Sequence, residues 1–293
     1  MVKRCDLPRI SIVTPSFNQG LSLERTIRSV LDQNYPNLEF IVVDGGSTDG
    51  SVEIIKRFES QLAYWVSEPD TGQANAINKG LARATGTILA WLNSDDCHLP
   101  GALEIVAEAA VAHPEAEVFV GGGDTVDLAG NILYHKAPSS PITRESLHRW
   151  MDGGDFMQPS CVFREKAWRR VGSLDETIHI ALDLDLWLRM EKAGSTFLTI
   201  DRLLSRSLSH PEAKTTMYRN LMRVDAAIVL MRHGGERAAR MHLEQMAMRL
   251  AWAEPNLEKI LEHPIVRILG PLAGVFLKPA VRRRDTAPPW LQR

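Results

Sequence analysis

The stretch ISIVTPSFNQG at residues 10–20 and its counterpart FIVVDGGSTDG at residues 40–50 decide the fold. Each opens on a short run rich in Ile and Val and then turns polar and glycine-bearing, which reads as a strand running into a loop. Between them Leu23, Ile27, Val30 and Leu31 recur at helical spacing, so a helix starting near Ser22 joins the two strands. Strand, helix and strand make a βαβ unit, whose strands lie parallel and buried on both faces. Working outward, the pattern repeats. A helix carrying Val52, Ile55 and Phe58 leads to AYWV (63–66), and one carrying Ala74, Ile77 and Leu81 leads to ILAWL (88–92). Pro100 then suits the first position of a helix holding Leu103, Val106 and Ala110. EVFVGG (117–122) and ILYH (132–135) read as strands on either side of a DLAGN turn, and APSSP (137–141) as a loop. Residues 215–262 hold several helical periods with breaks at His233-Gly234-Gly235 and Glu254-Pro255.

Composition limits the function. The 293 residues are 44% hydrophobic and 24% charged, the balance of a globular protein of about two domains at ~150 residues each. A net charge of −2 argues against a global polycation, so no nucleic-acid partner is expected. Basic residues gather only in the last thirty, around Arg282-Arg283-Arg284. Cys5, Cys97 and Cys161 lack CxxC spacing, which excludes a disulfide framework and a thiolate zinc site and fits a reducing, cytoplasmic setting. Asp6 and Pro8 interrupt any apolar run at the N-terminus. The apolar segment 265–281 is broken by Arg267, Pro271, Lys278 and Pro279, short of the ~20 clean residues that span a bilayer.

In an open parallel sheet, ligands bind beyond the carboxyl ends of the strands. Here those ends are PSFNQG, DGGSTDG, SEPDTGQ and NSDD, which set Asp44, Asp49, Asp70, Asp95 and Asp96 along one rim. Turns and helix caps favour Asp, Asn, Ser and Gly on their own account. The adjacent pair Asp95-Asp96 needs more, because two carboxylates closing a buried strand repel each other unless a cation or hydrogen-bond donors offset them. Mg2+ or Mn2+ takes one or two carboxylates together with phosphate oxygens, which suggests a nucleoside diphosphate. The glycines spell neither GxGxxG nor GxxxxGK[ST], so a dinucleotide-dependent hydride transfer and a P-loop lose support.

IVTPSFNQG, IVVDGGSTDGS, EPDTGQANAINKG, AWLNSDD and DLDLWLRM occur in that order, and together they resemble the family 2 glycosyltransferases from about Ile10 to Thr215. The resemblance implies the GT-A fold, a Rossmann-like, mostly parallel sheet flanked by helices, here with a C-terminal helical extension. It divides the chain into a nucleotide-sugar-binding half (1–98), an acceptor-binding and catalytic half (99–214) and the extension (215–293). It also implies a nucleotide-sugar donor, a divalent metal ion and inversion at the anomeric carbon. Carried onto this sequence, Pro15, Ser16, Phe17 and Asn18 would wall the base and ribose, and Asp44 would accept a hydrogen bond from the base, which suits uracil. Gln73 would lie near the donor's sugar or phosphates. NSDD takes the place of the DxD signature, so Asn93 and Ser94 would line the donor and Asp95 would bind the metal, although the first acidic position is Asn93. His210, beside PEAKTT, would complete the metal site, Lys214 would neutralise a phosphate, and Gln158 in MQPSCVFRE would contact the acceptor.

An inverting transfer needs a general base for the acceptor hydroxyl. Asp183 and Asp185 face roughly opposite ways on a helix, and Arg189 stands four residues after Asp185, the favourable spacing for an ion pair. That leaves Asp183, which is also where the family pattern puts its acidic base. Trp91 and Trp187 read as core. The expected activity is metal-dependent transfer from a UDP-sugar to a glycan or lipid-linked acceptor in cell-surface polysaccharide synthesis. The rivals are a sugar nucleotidyltransferase, for which PSFNQG lacks the cations, and a non-catalytic nucleotide-sugar-binding protein. The extension, with its basic end beside an apolar segment, suggests a peripheral membrane contact on the cytoplasmic face or a homodimer.

Overall fold

β1 (Ile10–Ser16) and β2 (Leu38–Asp44) pair in parallel from Ile10 opposite Leu38 to Ser16 opposite Asp44, with α1 (Leu23–Leu31) crossing between them. The computed structural model describes residues 7–211 and 213–262, with 254–262 as backbone alone. Cys5 and the segment 265–284 lie outside the described residues. α2 (Ser51–Phe58) returns the chain to β3 (Tyr64–Ser67), and α3 (Gln73–Arg83) returns it to β4 (Ile88–Trp91) on the other side of β1. The order β3-β2-β1-β4 is the parallel half that the sequence pattern predicts.

The second half of the sheet is mixed. β5 (Asp96–His98), α4 (Ala102–Ala112), β6 (Val118–Val126), β7 (Ile132–Lys136) and α5 (Arg144–His148) precede β8 (Cys161–Arg164). After it come α6 (Glu165–Val171), α7 (Leu182–Lys192) and β9 (Phe197–Leu208). The nine-stranded sheet continues β4-β8-β6-β9-β5, with β7 paired to β6. β8 is antiparallel to β4 and to β6, while β9 is parallel to β6. Alternate side chains feed two cores: Val13, Val43 and Trp91 face α3 and α7, whereas Ile12, Val42 and Ala90 face α1, α2 and α4.

α8 (Lys214–Met217), α9 (Arg219–Arg232) and α10 (Glu236–Glu262) form the extension, and the expected break at His233-Gly234-Gly235 separates the last two. The break expected at Glu254-Pro255 is absent, because α10 runs on through Pro255. Proline costs a helix one hydrogen bond, but its fixed φ is itself helical. Pro100 is likewise not the first helical residue, since Gly101 at φ 79° caps α4 and the helix begins at Ala102. Among the described residues no helix is long and apolar enough to cross a membrane.

Candidate functional site

The carboxyl end of β1 carries Pro15 and Ser16, both buried, and the chain then leaves the sheet with Phe17, whose ring is 59% exposed. Asn18 takes a left-handed turn at φ 52° and is tied to the next loop on both sides. Its N–H donates to Ser47 Oγ at 2.8 Å, and its Oδ1 accepts from the Thr48 N–H at 3.0 Å. Asp44, at the end of β2, is wholly buried and holds its own loop. Oδ2 accepts from the N–H of Gly46 (3.1 Å) and Ser47 (2.8 Å) and from Ser67 Oγ (2.7 Å), while Oδ1 accepts from Ser47 Oγ at 2.5 Å. Asp49 does the same one turn on, accepting from the Gly20 N–H and from both donors of Ser51. Asp70 and Phe17 both crowd Gly45. A Cβ on Gly45 would lie 2.8 Å from Asp70 Oδ2 and 3.2 Å from the Phe17 ring, so only glycine lets the three meet. Burial raises the Asp70 carboxyl above its usual range, against the Gly72 N–H that it accepts at 2.8 Å.

The NSDD corner splits its two carboxylates. Asp96 enters β5, pairs with Ser207 of β9 and is buried; burial and then the neighbouring Asp95 charge push it up to about 8. Asp95 points outward, with Oδ2 at 3.4 Å from His210 Nε2, and the side chains are 25% and 13% exposed. His210 follows β9 and comes from 115 residues further along the chain. Ser94, next in sequence to Asp95, is buried. Asn93 links three elements: its Oδ1 accepts from Gln73 Nε2 at 2.8 Å, and its Nδ2 faces Asp96 Oδ2 and Gln158 Oε1, each at 3.1 Å. Gln158 in turn donates to the Trp91 carbonyl at 3.3 Å.

α7 presents the remaining acid. Asp183 lies in its first turn, partly exposed, with Oδ1 accepting the Leu184 N–H at 2.8 Å. Burial pushes its carboxyl up to about 6, although that hydrogen bond and the Lys214 cation pull the other way. Asp185 faces inward and bonds Arg189 Nε at 2.8 Å and His233 Nε2 at 2.9 Å. Burial alone would raise it, but His233 and Arg189 hold it below the usual carboxylate range. Lys214 Nζ donates to the His179 carbonyl and lies 3.3 Å from Gln73 Oε1. Burial lowers its ammonium to about 8, opposed by the charges of Asp225 and Asp183.

The pattern of glycosyl transferase family 2 matches residues 11–172, more than half of the chain. The chain belongs to that family. It is therefore a glycosyltransferase, and its relatives agree. An uncharacterized glycosyltransferase of Mycobacterium tuberculosis (strain H37Rv) is 34% identical over 188 residues, 62% of this chain and 68% of the relative. The chondroitin synthase of Pasteurella multocida is 25% identical over 217 residues, 73% of this chain and 22% of that longer protein. Among solved structures, S. aureus TarS 1–349 in complex with UDP aligns at a TM-score of 0.59 and 16% identity, covering 80% of this chain and 70% of that one. The mannosyltransferase PcManGT from Pyrobaculum calidifontis, in complex with GDP-Man and Mn2+, aligns at 0.55 and 17% over 96% and 88%. The fold of this transferase is GT-A.

Within it, Asp95 and His210 come together, and Gln73, Asn93 and Gln158 form one hydrogen-bonded run with Lys214 at its end. Gln158, expected on the acceptor side, is tied to Asn93 and Trp91. Sequence reasoning treated Asp70 only as one acid of the rim and passed over Asp225 and Glu176, which the site subsumes through contacts that no local spacing announces. Glu176 reaches Asn75, Asn78 and Thr71 of the α3 region at 3.0 to 3.1 Å.

Proposed function

We propose that this glycosyltransferase moves a sugar from a UDP-sugar to a hydroxyl of a glycan or lipid-linked acceptor, with inversion, in cell-surface polysaccharide synthesis. One observation carries the reading: the run Lys214–Gln73–Asn93–Gln158 brings the start of α3, the NSDD corner, the segment before β8 and the segment after β9 together, with the Asp183 charge acting on Lys214. The complexes of the neighbouring structures, TarS with UDP and PcManGT with GDP-Man and Mn2+, support a nucleotide-sugar donor. The chondroitin synthase relative supports a polysaccharide product.

Pro15, Ser16, Phe17 and Asn18 would wall the base and ribose, with Asp70 and Gly45 behind Phe17. Asp44 Oδ2 already accepts three donors and Oδ1 only the Ser47 hydroxyl, so a base N–H would meet the lone pair that Oδ1 has left. Gln73, Asn93 and Ser94 would flank the donor's sugar and diphosphate. Asp95 and His210 would hold Mn2+ or Mg2+. No group of three or more His, Cys, Asp or Glu suited to a metal exists among the described residues. A carboxylate with one imidazole fits a cation that fills its other positions from phosphate and water. When bound, that cation offsets charge on the departing diphosphate.

Asp183 takes the proton of the acceptor hydroxyl, whose oxygen attacks the anomeric carbon as the bond to the diphosphate breaks. Burial suits it to this task, because a base with a pKa near the working pH is ionised yet still basic. Lys214, cationic near neutrality, would meet the leaving phosphates. General-base catalysis contributes ~10²–10⁴-fold, or about 3–5 kcal/mol. Asp183→Asn is therefore expected to lower transfer by that order and leave UDP-sugar affinity nearly unchanged. Wild-type turnover in this variant would remove Asp183 as the base. Release of pyrophosphate rather than UDP would favour a nucleotidyltransferase.

A further inference from the structure

Seven residues, 174–180, lead into α7 and lie between two helices. On the α3 side, Asn78 brackets Leu174, accepting its N–H at 2.9 Å and donating to its carbonyl at 3.0 Å, while Glu176 takes the side-chain donors described above. On the α9 side there are three anchors. Arg232 bonds Asp175 at 2.9 Å, His233 bonds Asp185 of α7 at 2.9 Å, and Asp225 is the third. One oxygen of Asp225, Oδ2, accepts the N–H groups of His179 at 3.0 Å and Ile180 at 2.8 Å.

The place of those two amides gives the contact its meaning. Ile180 precedes Ala181, the N-cap of α7, and Asp183 follows two residues after the cap. The carbonyl of His179 accepts from Lys214, which touches Gln73 and so joins the run through Asn93. A single carboxylate on the extension therefore fixes the peptide units that orient both the proposed base and the proposed phosphate-binding cation. Its charge also opposes that of Lys214, across the same segment.

We propose that Asp225 is a positioning residue for sugar transfer: by holding the amides of His179 and Ile180 it sets where Asp183 and Lys214 stand in the cleft. The inference rests on the proposed roles of those two residues. It makes the helical extension a working part of the transferase. A misplacement of about 1 Å at a reacting group costs on the order of 10²-fold in rate. Loss of the Asp225 anchor is thus felt in turnover more than in donor binding, because the proposed walls of the base and ribose come from the ends of β1 and β2, and Lys214 would meet phosphates whose charge grows as the donor bond breaks.

The test compares Asp225→Ala, which removes the acceptor, with Asp225→Asn, which keeps an amide oxygen in its place. Release of UDP from UDP-glucose, UDP-galactose and UDP-N-acetylglucosamine with Mn2+ gives kcat and KM, and hydrogen exchange follows the amides of 177–184 in the ligand-free protein. Asp225→Ala is expected to lower kcat by ~10- to 100-fold with donor KM within ~3-fold, while those amides exchange faster. Asp225→Asn is expected to restore most of kcat and of the protection. In the double variant with Asp183→Asn, removing Asp225 is expected to cost less than it does beside an intact Asp183, because only its hold on Lys214 is left to lose. Unchanged exchange in Asp225→Ala overturns the inference whatever the activity, and so does unchanged kcat when Asp183→Asn is inactive. A proportional loss of kcat in the double variant, or a rise in KM alone, also overturns it. If instead Asp183→Asn retains full turnover, the base assignment fails independently of Asp225.

Discussion

Asp183 and Asp185 leave the same turn of α7 about 200° apart, and their surroundings set them to different work. Asp185 is satisfied by Arg189 and His233 and is a strut, as the spacing to Arg189 foretold. Trp187, buried against Trp150 at 4.5 Å and Phe156 at 4.7 Å between ring centroids, backs the helix as core. Asp183 accepts only the Leu184 N–H at Oδ1 and feels the charge of Lys214, and burial pushes it up to about 6. Two consequences follow. As a base it acts ionised, so kcat should rise with pH through about 6 and level off above, and the Asp183→Asn residual rate should lack that limb. Stability should run the opposite way. Unfolded, the carboxyl titrates near 3.8, so between about 4 and 6 the folded state binds the extra proton. The stabilisation is full below that window and lost as pH rises through it. Two pK units are worth ~3 kcal/mol. At pH 7 Asp183→Asn should therefore melt higher than wild type by up to that amount, and the gain should vanish near pH 3. A variant that melts equally at both pH values would show that burial does not strain Asp183.

Among the elements, α3 depends on close approach. A Cβ on Gly80 would come within 2.3 Å of Val13 Cγ1, so glycine lets the helix lie flat on β1 and puts Gln73, at its N-terminus, against Asn93. Gly80→Ala should destabilise the protein by about 1–3 kcal/mol through overpacking, and Val13→Ala should recover part of that loss in a double-mutant melt. Additive losses would mean the two do not compete for space. The parallel half was legible because β1, β2 and β4 are buried on both faces, and runs such as ISIVT and FIVV show this directly. β9 was not, since Asp201 and Arg202 interrupt its apolar pattern where the strand is exposed. β5 and β8 are three and four residues long and owe their form to partners distant in sequence. The site divides in the same way. Residues at strand ends were placed by the fold rule for parallel sheets, whereas Asp225 and the tie of Gln158 to Asn93 arise from pairings 45 and 65 residues apart. The acids of the rim were legible as a group, but not their division of labour: Asp44 and Asp49 hold loops, and only coordinates reveal which donors they already accept.

At the scale of the whole molecule, the proposed donor site takes residues from both halves of one sheet. Phe17, Asp70, Gln73 and Asp95 follow strands of the parallel half, while His210 and Lys214 arrive after β9, which β8 and β6 separate from β4. A bound nucleoside diphosphate would cross-link these parts in the folded state and nowhere in the unfolded chain, so it should stabilise by mass action. At a concentration of about 100 Kd the gain is ~2.7 kcal/mol. For a chain of this size each kcal/mol moves the melting temperature by ~2–4 °C, so UDP with Mn2+ should raise it by roughly 5–10 °C. The same experiment separates the parts of the reading. EDTA in place of Mn2+ should remove most of the shift, and His210→Ala should match the EDTA result while keeping the smaller shift given by the base and ribose. GDP with Mn2+ should shift less than UDP, because the proposed partner of the base, the Asp44 carboxylate, suits the ring N–H of uracil. Equal shifts with and without the cation would remove Asp95 and His210 as its ligands and leave their 3.4 Å contact a plain ion pair. A larger shift with GDP would overturn the choice of uracil and leave the transferase reading intact.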